Sequence, residues 1–177
     1  GYYNPAGLAN LNYPQLALMH SEQFGNLVNY DYGAVGIPFE DDMSFGLSVM
    51  RLGVDGIPDT RGALYDANGD GIIDISDDRL DYSRITEFSN QDWAFYLTFA
   101  KRQTEDFYWG INAKIIRRDL AEFGATGIGF DVGAYYTPME NLYLGANLQD
   151  ATTTLVAWST GRNELVSPTL KVGGAYK

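Results

Sequence analysis

The stretch Asp92 to Arg117, DWAFYLTFAKRQTEDFYWGINAKIIR, contains two runs in which large apolar residues alternate with small or polar ones. Alternation with a period of two predicts β-strands, because successive side chains of a strand point to opposite faces. The polar link Arg102 to Asp106 separates the runs and predicts a turn. The stretch is therefore predicted to be a β-hairpin with one strongly apolar face.

Length and composition favour a membrane environment for this face. Each run has about ten residues, which is the length that a tilted transmembrane strand needs. Large aromatic residues lie near the strand ends and the opposite face is small or polar, as in outer-membrane barrels. A soluble antiparallel sandwich or barrel is the alternative, since its strands alternate too. We interpret the following side chains as lipid-facing: Trp93, Phe95, Leu97, Phe99, Phe107, Trp109 and Ile111.

The composition narrows the possible functions. The 177 residues allow one domain and include no cysteine, which excludes disulfide and thiolate chemistry. The net charge of -11 argues against a nucleic-acid partner, whose phosphates attract basic proteins. No run of about 18 apolar residues occurs, so a transmembrane helix is excluded. His20 is the only histidine, so a zinc site with more than one histidine ligand cannot form without carboxylates. We expect no enzyme, because the sequence offers no catalytic constellation. We expect His20 to line the barrel or to contact a neighbouring carbonyl.

The same alternation predicts an antiparallel up-and-down β-barrel of about eight strands in the single domain 1–177. Residues 1–14 are rich in Gly, Pro and Asn and predict a lead-in before the first strand. Pro38 is expected to end the second strand. Asp131 and Lys114 fall on the inner faces of neighbouring strands and predict an ion pair. The predicted strands are Gln15 to Phe24, Leu27 to Ile37, Met43 to Val49, the two runs above, Gly127 to Tyr136, Leu142 to Gln149 and Thr169 to Tyr176.

The lengths of the predicted links alternate along the chain. Links 39–42, 102–106 and 137–141 are short, whereas 53–91 and 150–167 are long and 119–126 is intermediate. The first link, 25–26, is the exception, because it is short where the alternation requires a long one. In a meander, alternate links lie at the same end of the sheet. Short links at one end and long links at the other are typical of outer-membrane barrels, which have short periplasmic turns and longer external loops.

Segment 53–91 contains a twelve-residue pattern of the calcium-loop kind, D-x-N-x-D-G-x-x-D-x-x-D. Ca²⁺ prefers oxygen ligands, and this pattern offers side-chain oxygens at positions one, three, five and nine, a carbonyl at seven and a carboxylate at twelve. Gly71 at position six allows the sharp turn. We expect this Ca²⁺ to order the long link rather than to act in catalysis, and an acidic solvated loop is the alternative. The predicted ligands are Asp66, Asn68, Asp70, the carbonyl of Ile72, Asp74 and Asp77.

The lead-in Tyr2 to Ala9, YYNPAGLA, resembles the corresponding stretch of the PorV/PorQ group of bacterial outer-membrane proteins, which belongs with the FadL-like barrels. Leu16 to His20 and Arg51 to Thr60 add a looser similarity. The resemblance implies a barrel of about fourteen strands whose relatives move hydrophobic molecules or assist protein secretion. It also implies that Asn4, Pro5, Ala6 and Gly7 form part of an N-terminal plug, with no substrate contact assigned.

With about eight strands, the chain is expected to be the front half of such a barrel. A shortened relative that closes by itself or assembles with other copies is the alternative. The first expected function is therefore transport or secretion-accessory work in the outer membrane of a Gram-negative bacterium. Its expected partners are outer-membrane lipid and secretion-system or surface proteins. The second is a calcium-stabilised extracellular protein that self-assembles into a filament or surface layer, so that the apolar faces contact other copies.

Overall fold

The computed structural model describes residues 2–67, 69, 71 and 79–177. The described chain is all-β, with 69% of the described residues in strands, and the main sheet is antiparallel throughout. The all-β, antiparallel prediction is confirmed. Within the described residues, no helix is both long and apolar enough to cross a membrane.

The main sheet contains ten of the twelve described strands, and the other two, β4 and β5, form a small separate ribbon. A short 3-10 helix, Pro5–Asn10, precedes the first strand, and a second, Tyr82–Arg84, precedes β6. The strands are β1 Gln15–Gln23, β2 Val28–Phe39, β3 Met43–Asp59, β4 Leu64–Tyr65, β5 Arg79–Leu80, β6 Thr86–Arg102, β7 Phe107–Leu120, β8 Phe123–Met139, β9 Leu142–Gln149, β10 Thr154–Trp158, β11 Asn163–Val166 and β12 Thr169–Tyr176.

Eight long strands cross this sheet, because four of the ten lie end to end in pairs. β9 pairs with β8 from Met139 to Val132, and β10 continues along the same edge of β8 from Ile128 to Ala125. β12 and β11 pair with β9 and β10 in the same way. The irregular segment 150–153 between β9 and β10 stays attached to β8, since the Ala151 amide donates to the Phe130 carbonyl at 2.8 Å. Half of the connection predicted at 150–167 is therefore strand.

Several strands extend beyond their predicted ends. β3 continues to Asp59 and β6 begins at Thr86, so part of the predicted link 53–91 is strand. The predicted link 119–126 is only the turn 121–122, in which Ala121 has a φ of 50° that no Gly or Asn announces. Pro38 does not end β2 but pairs with Ser44. It is tolerated because the pairing of β1 stops at Gly36, which leaves Pro38 a neighbour on one side only.

The difference in link length that was predicted between the two ends of the sheet comes from a single loop. We call the end of the sheet with turns 24–27, 60–85, 121–122 and 159–162 the long-loop end, and the end with turns 40–42, 103–106 and 140–141 the short-turn end. Only 60–85 is long. The expectation of a long link at 150–167 and an intermediate one at 119–126 is wrong, because their residues continue the hydrogen-bonded ladders of β7, β8, β10 and β11.

The sheet curves around the N-terminal 3-10 helix. Leu11 lies beside Gly36 on β2, while Asn4 reaches β8 and β9. Six adjacent strands spaced about 4.8 Å apart would span about 24 Å if flat. The seven steps from Asn4 to Leu11 cover only about 14 Å at the rise of a 3-10 helix. We call the concave face with this helix the inner face and the opposite one the outer face. The sheet is not closed in the described residues, since β1 and the β11 and β12 edge each have one unpaired side.

Candidate functional site

The outer face carries a belt of large apolar side chains that the rest of the described chain leaves uncovered. Leu97 on β6 is 57% exposed, Leu47 on β3 is 59% exposed and Ile128 on β8 is 58% exposed. All seven side chains predicted to face lipid lie on this face. Phe95, Leu97, Phe107 and Ile111 are exposed, whereas Trp93, Phe99 and Trp109 are partly covered by neighbouring rings. The alternation therefore grouped these residues on one face, and contact of that face with lipid stays a prediction.

The belt has a charged boundary at the long-loop end. His20, Asp31, Arg51, Trp93 and Arg117 occupy register-matched positions on five neighbouring strands, and we call them the charged row. Arg51 Nη1 lies 3.0 Å from Asp31 Oδ2, and the Arg51 guanidinium lies 5.7 Å from the centre of the Trp93 ring. The expectation that His20 lines the interior or contacts a carbonyl is wrong, since it lies on the outer face with Nδ1 2.6 Å from Asp31 Oδ1.

An aromatic boundary lies at the short-turn end. The rings of Phe39, Phe45, Phe99 and Trp109 contact one another in succession across four strands, with centroids 5.3 to 5.8 Å apart. Between the two boundaries, β7 presents only apolar residues on its outer face from Phe107 to Ile115. That run is about 27 Å long at the usual rise of a strand. At a tilt of about 40° its height is about 20 Å, close to the apolar band of transmembrane barrels.

Buried side chains on the inner face are mostly small or polar. Apart from Pro5, the buried apolar residues in the described chain are five alanines and Val156, whereas the buried polar ones include Thr98, Asn112, Lys114 and Asp131. This is the reverse of a soluble core, in which large apolar side chains are buried.

An ion cluster lies at the centre of the inner face. Lys114 Nζ is 2.7 Å from both Asp131 Oδ1 and Asp150 Oδ1. The Asp150 amide donates to Asp131 at 2.9 Å, and the Thr154 hydroxyl donates to Asp150. Gly129 leaves the space, because a Cβ there would lie 2.8 Å from Lys114 Cε. The predicted pair of Lys114 with Asp131 is confirmed, but Asp150 was predicted in a loop and its part in the cluster was missed.

The N-terminal segment, residues 2–14, is fixed to the inner face through Asn4. Its Nδ2 donates to the carbonyl oxygens of Ala134 at 3.0 Å and Ala146 at 3.1 Å, on β8 and β9. Its Oδ1 accepts from the Ala6 amide at 2.9 Å, which caps the 3-10 helix. One side chain thus joins the helix to two strands more than 120 residues away in sequence.

Glycines on the sheet allow this close approach. A Cβ on Gly110 would lie 2.6 Å from the Pro5 carbonyl carbon, and one on Gly133 would overlap Asn4. Pro5 and Ala6 are buried at the contact, whereas Gly7 is exposed and has open space around it. Of the four residues assigned to the plug motif, Asn4, Pro5 and Ala6 therefore hold the segment to the sheet, and Gly7 faces away.

The predicted calcium loop falls largely outside the described residues, since Asn68, Asp70, Ile72, Asp74 and Asp77 are not among them. Asp66 is described, and its two carboxylate oxygens accept from the amides of Gly69 at 2.6 Å and Gly71 at 2.8 Å. No group of three His, Cys, Asp or Glu side chains in the described chain is placed to hold a metal ion. The Ca²⁺ site remains a prediction.

Arg61 anchors the start of this loop to the neighbouring turn. Its guanidinium donates to both oxygens of Asp59, with Nη2 2.7 Å from Oδ2, and its Nη1 lies 3.0 Å from Glu122 Oε1. Hydrogen bonds from Arg61 lower the pKa of Asp59 to about 2 and also lower the pKa of Glu122. The loop 60–85 is thereby held against the turn between β7 and β8.

Comparisons with family models, with curated proteins and with solved structures found no match for this chain.

Proposed function

We propose that this chain forms the wall of an outer-membrane β-barrel, with its apolar belt in lipid and the long-loop end outside the cell. One observation carries the proposal: the large apolar side chains lie on the uncovered face, while the buried ones are small, polar or charged. A soluble sandwich would place the apolar faces of two sheets against each other. Lipid is the environment that favours an apolar exterior around a polar interior.

The inner face supports transport or secretion-accessory work rather than catalysis. The N-terminal segment acts as a plug, because Asn4 and the glycine contacts hold it across the concave face. In hydrocarbon every backbone group must be paired. The unpaired sides of β1 and β12 therefore require further strands, from the same polypeptide or from other copies.

Extraction of the native protein from its source membranes, with and without detergent, tests the proposal. We expect the protein to require detergent, and an intact mass about twice that of the 19.6 kDa chain would identify the front half of a larger barrel. Recovery in water as a 19.6 kDa species would contradict the lipid-facing belt.

The long-loop end is proposed to carry a structural Ca²⁺ bound by the loop that begins at Asp66. The calcium pattern within 66–77 supports this, because a cation would order a segment of mostly acidic and polar residues. Chelation is expected to increase protease cleavage within 60–85. Identical digestion patterns with and without chelator would contradict it.

A self-assembling extracellular protein is the second candidate, and the open sheet edges favour it. Each unpaired side of the sheet offers a row of backbone donors and acceptors to a neighbouring copy. The apolar belt would then be covered by protein. Recovery of large polymers in detergent-free buffer would favour this candidate over the membrane wall.

A further inference from the structure

A cavity on the inner face has no role in either proposal. It lies between the N-terminal segment and the strands β9 and β12, with a volume of about 400 Å³. This is within the size range of sites for small molecules. It is separate from the Lys114 cluster and shares no residue with it.

One wall and the floor of the cavity suit a flat ring. The rings of Tyr135 and Tyr143 are nearly parallel, with an angle of 20° and centroids 6.2 Å apart. Gly145 and Gly173 form the floor, and a Cβ on Gly173 would meet no atom within 4 Å. A ligand ring can therefore approach the strands closely beside an aromatic surface.

Asn147, which is only 4% exposed, holds the N-terminal segment beside the cavity, since its Nδ2 donates to the Tyr3 carbonyl at 2.8 Å. One charged group at the cavity lacks a partner within the described chain. Lys171, the cross-strand partner of Asn147, forms no ion pair with a described residue, although the chain has a net charge of -11.

We propose that this cavity binds a negatively charged sugar. The apolar C–H face of a sugar ring packs on aromatic side chains, which matches the Tyr135 and Tyr143 wall. A carboxylate on the sugar pairs with the Lys171 ammonium. A fatty acid would also satisfy Lys171, but it has no ring to lie against the two tyrosines. The site needs only the inner face, so it does not depend on whether the outer face contacts lipid.

Saturation-transfer NMR on the purified whole protein, titrated with glucuronic acid and with glucose, tests the site. Glucuronic acid is expected to bind saturably and glucose at least fivefold more weakly. Lys171→Met should weaken glucuronic acid binding about tenfold through loss of one charge-assisted contact. Gly173→Leu should abolish binding by filling the floor. Lys177→Met is the matched control, because Lys177 follows the same strand outside the cavity, and it should bind as the unaltered protein does.

Three outcomes would overturn the proposal: no saturable binding of glucuronic acid, equal binding of both sugars, or equal affinity in Lys171→Met and Lys177→Met. Whether extraction of the protein requires detergent is measured separately from sugar binding. Failure of the sugar site is therefore distinguishable from failure of the membrane proposal.

Discussion

On β7, Ile111 and Ile115 point outward and are 43% and 51% exposed, whereas Asn112 and Lys114 point inward and are 1% and 6% exposed. The same strand therefore exposes its apolar residues and buries an amide and a cation. The inner face is stable because its polar groups are paired, as Lys114 is with two carboxylates. The apolar side chains of the outer face are not covered by other described parts of the chain, so the stability of this face depends on its surroundings.

The largest expected effect comes from breaking the inner face. Lys114→Met leaves the carboxylates of Asp131 and Asp150 buried without their cation and should cost about 3–5 kcal/mol in the free energy of unfolding. Lys101→Met is the control, since Lys101 pairs with Asp42 at a partly exposed turn and its loss should cost at most about 1 kcal/mol. Denaturant unfolding measures both. Equal losses would show that the inner cluster contributes no more than a surface pair.

Leu97→Arg tests the outer face. If the belt lies in lipid, an arginine near its middle should cost about 2–4 kcal/mol, whereas a water-exposed position would change stability by about 0.5 kcal/mol or less. Leu27→Arg is the matched control, because Leu27 is a 48% exposed leucine in the turn 24–27 at the long-loop end, beyond the charged row. Folding into lipid vesicles under denaturant gives the two free energies. No difference between the variants would argue that the belt is not in lipid.

A smaller effect is expected where the N-terminal segment contacts the inner face. Gly110→Ala places a Cβ 2.6 Å from the Pro5 carbonyl carbon, so the segment must shift at a cost of about 1–3 kcal/mol. The control Gly145→Ala adds the same methyl group to this face, where the nearest atom is 3.8 Å away. Cleavage of residues 2–14 by protease should increase in Gly110→Ala alone. Unchanged cleavage would mean that the segment is not held by this contact.

The smallest expected effect lies outside both faces, at Arg61. Because the folded pKa of Asp59 is lowered to about 2, its ion pair stabilises the fold fully above the ordinary carboxyl pKa near 4. The contribution is lost as the pH falls toward 2. Carbon NMR titration should show Asp59 titrating below its ordinary range, and Arg61→Met should return it there. An ordinary pKa of Asp59 in the unaltered protein would contradict its ion pair with Arg61.

Local sequence patterns predicted the residues that share a face and some strand ends. β9 and β12 begin and end at the predicted residues, and each is next to a residue with clear turn preference, such as Asn141 with its φ of 68°. The 121–122 turn was missed because Ala121 carries no such signal. Extension of β3 to Asp59 was missed because only pairing with β6 selects strand for this polar, Gly- and Pro-containing segment.

Some residues of the candidate sites were also predictable from local patterns, and others were not. Lys114 and Asp131 were predictable as a pair because each lies on the inner face of a neighbouring strand. Asp150 could not be assigned, because the bulge that brings it to Lys114 depends on how β9 and β10 share the edge of β8. The charged row could not be predicted from the sequence either, since its five residues are aligned only by the register of five strands.

The sequence by itself determined that the chain is all-β, that its strands have one apolar and one polar face, and which side chains belong to each. These properties follow from a period of two, which is local to each strand. Only the tertiary structure decided the register, the continuation of β9 into β10, and the contact of Asn4 with Ala134 and Ala146. These contacts join residues far apart in the chain, and they depend on the curvature of the whole sheet.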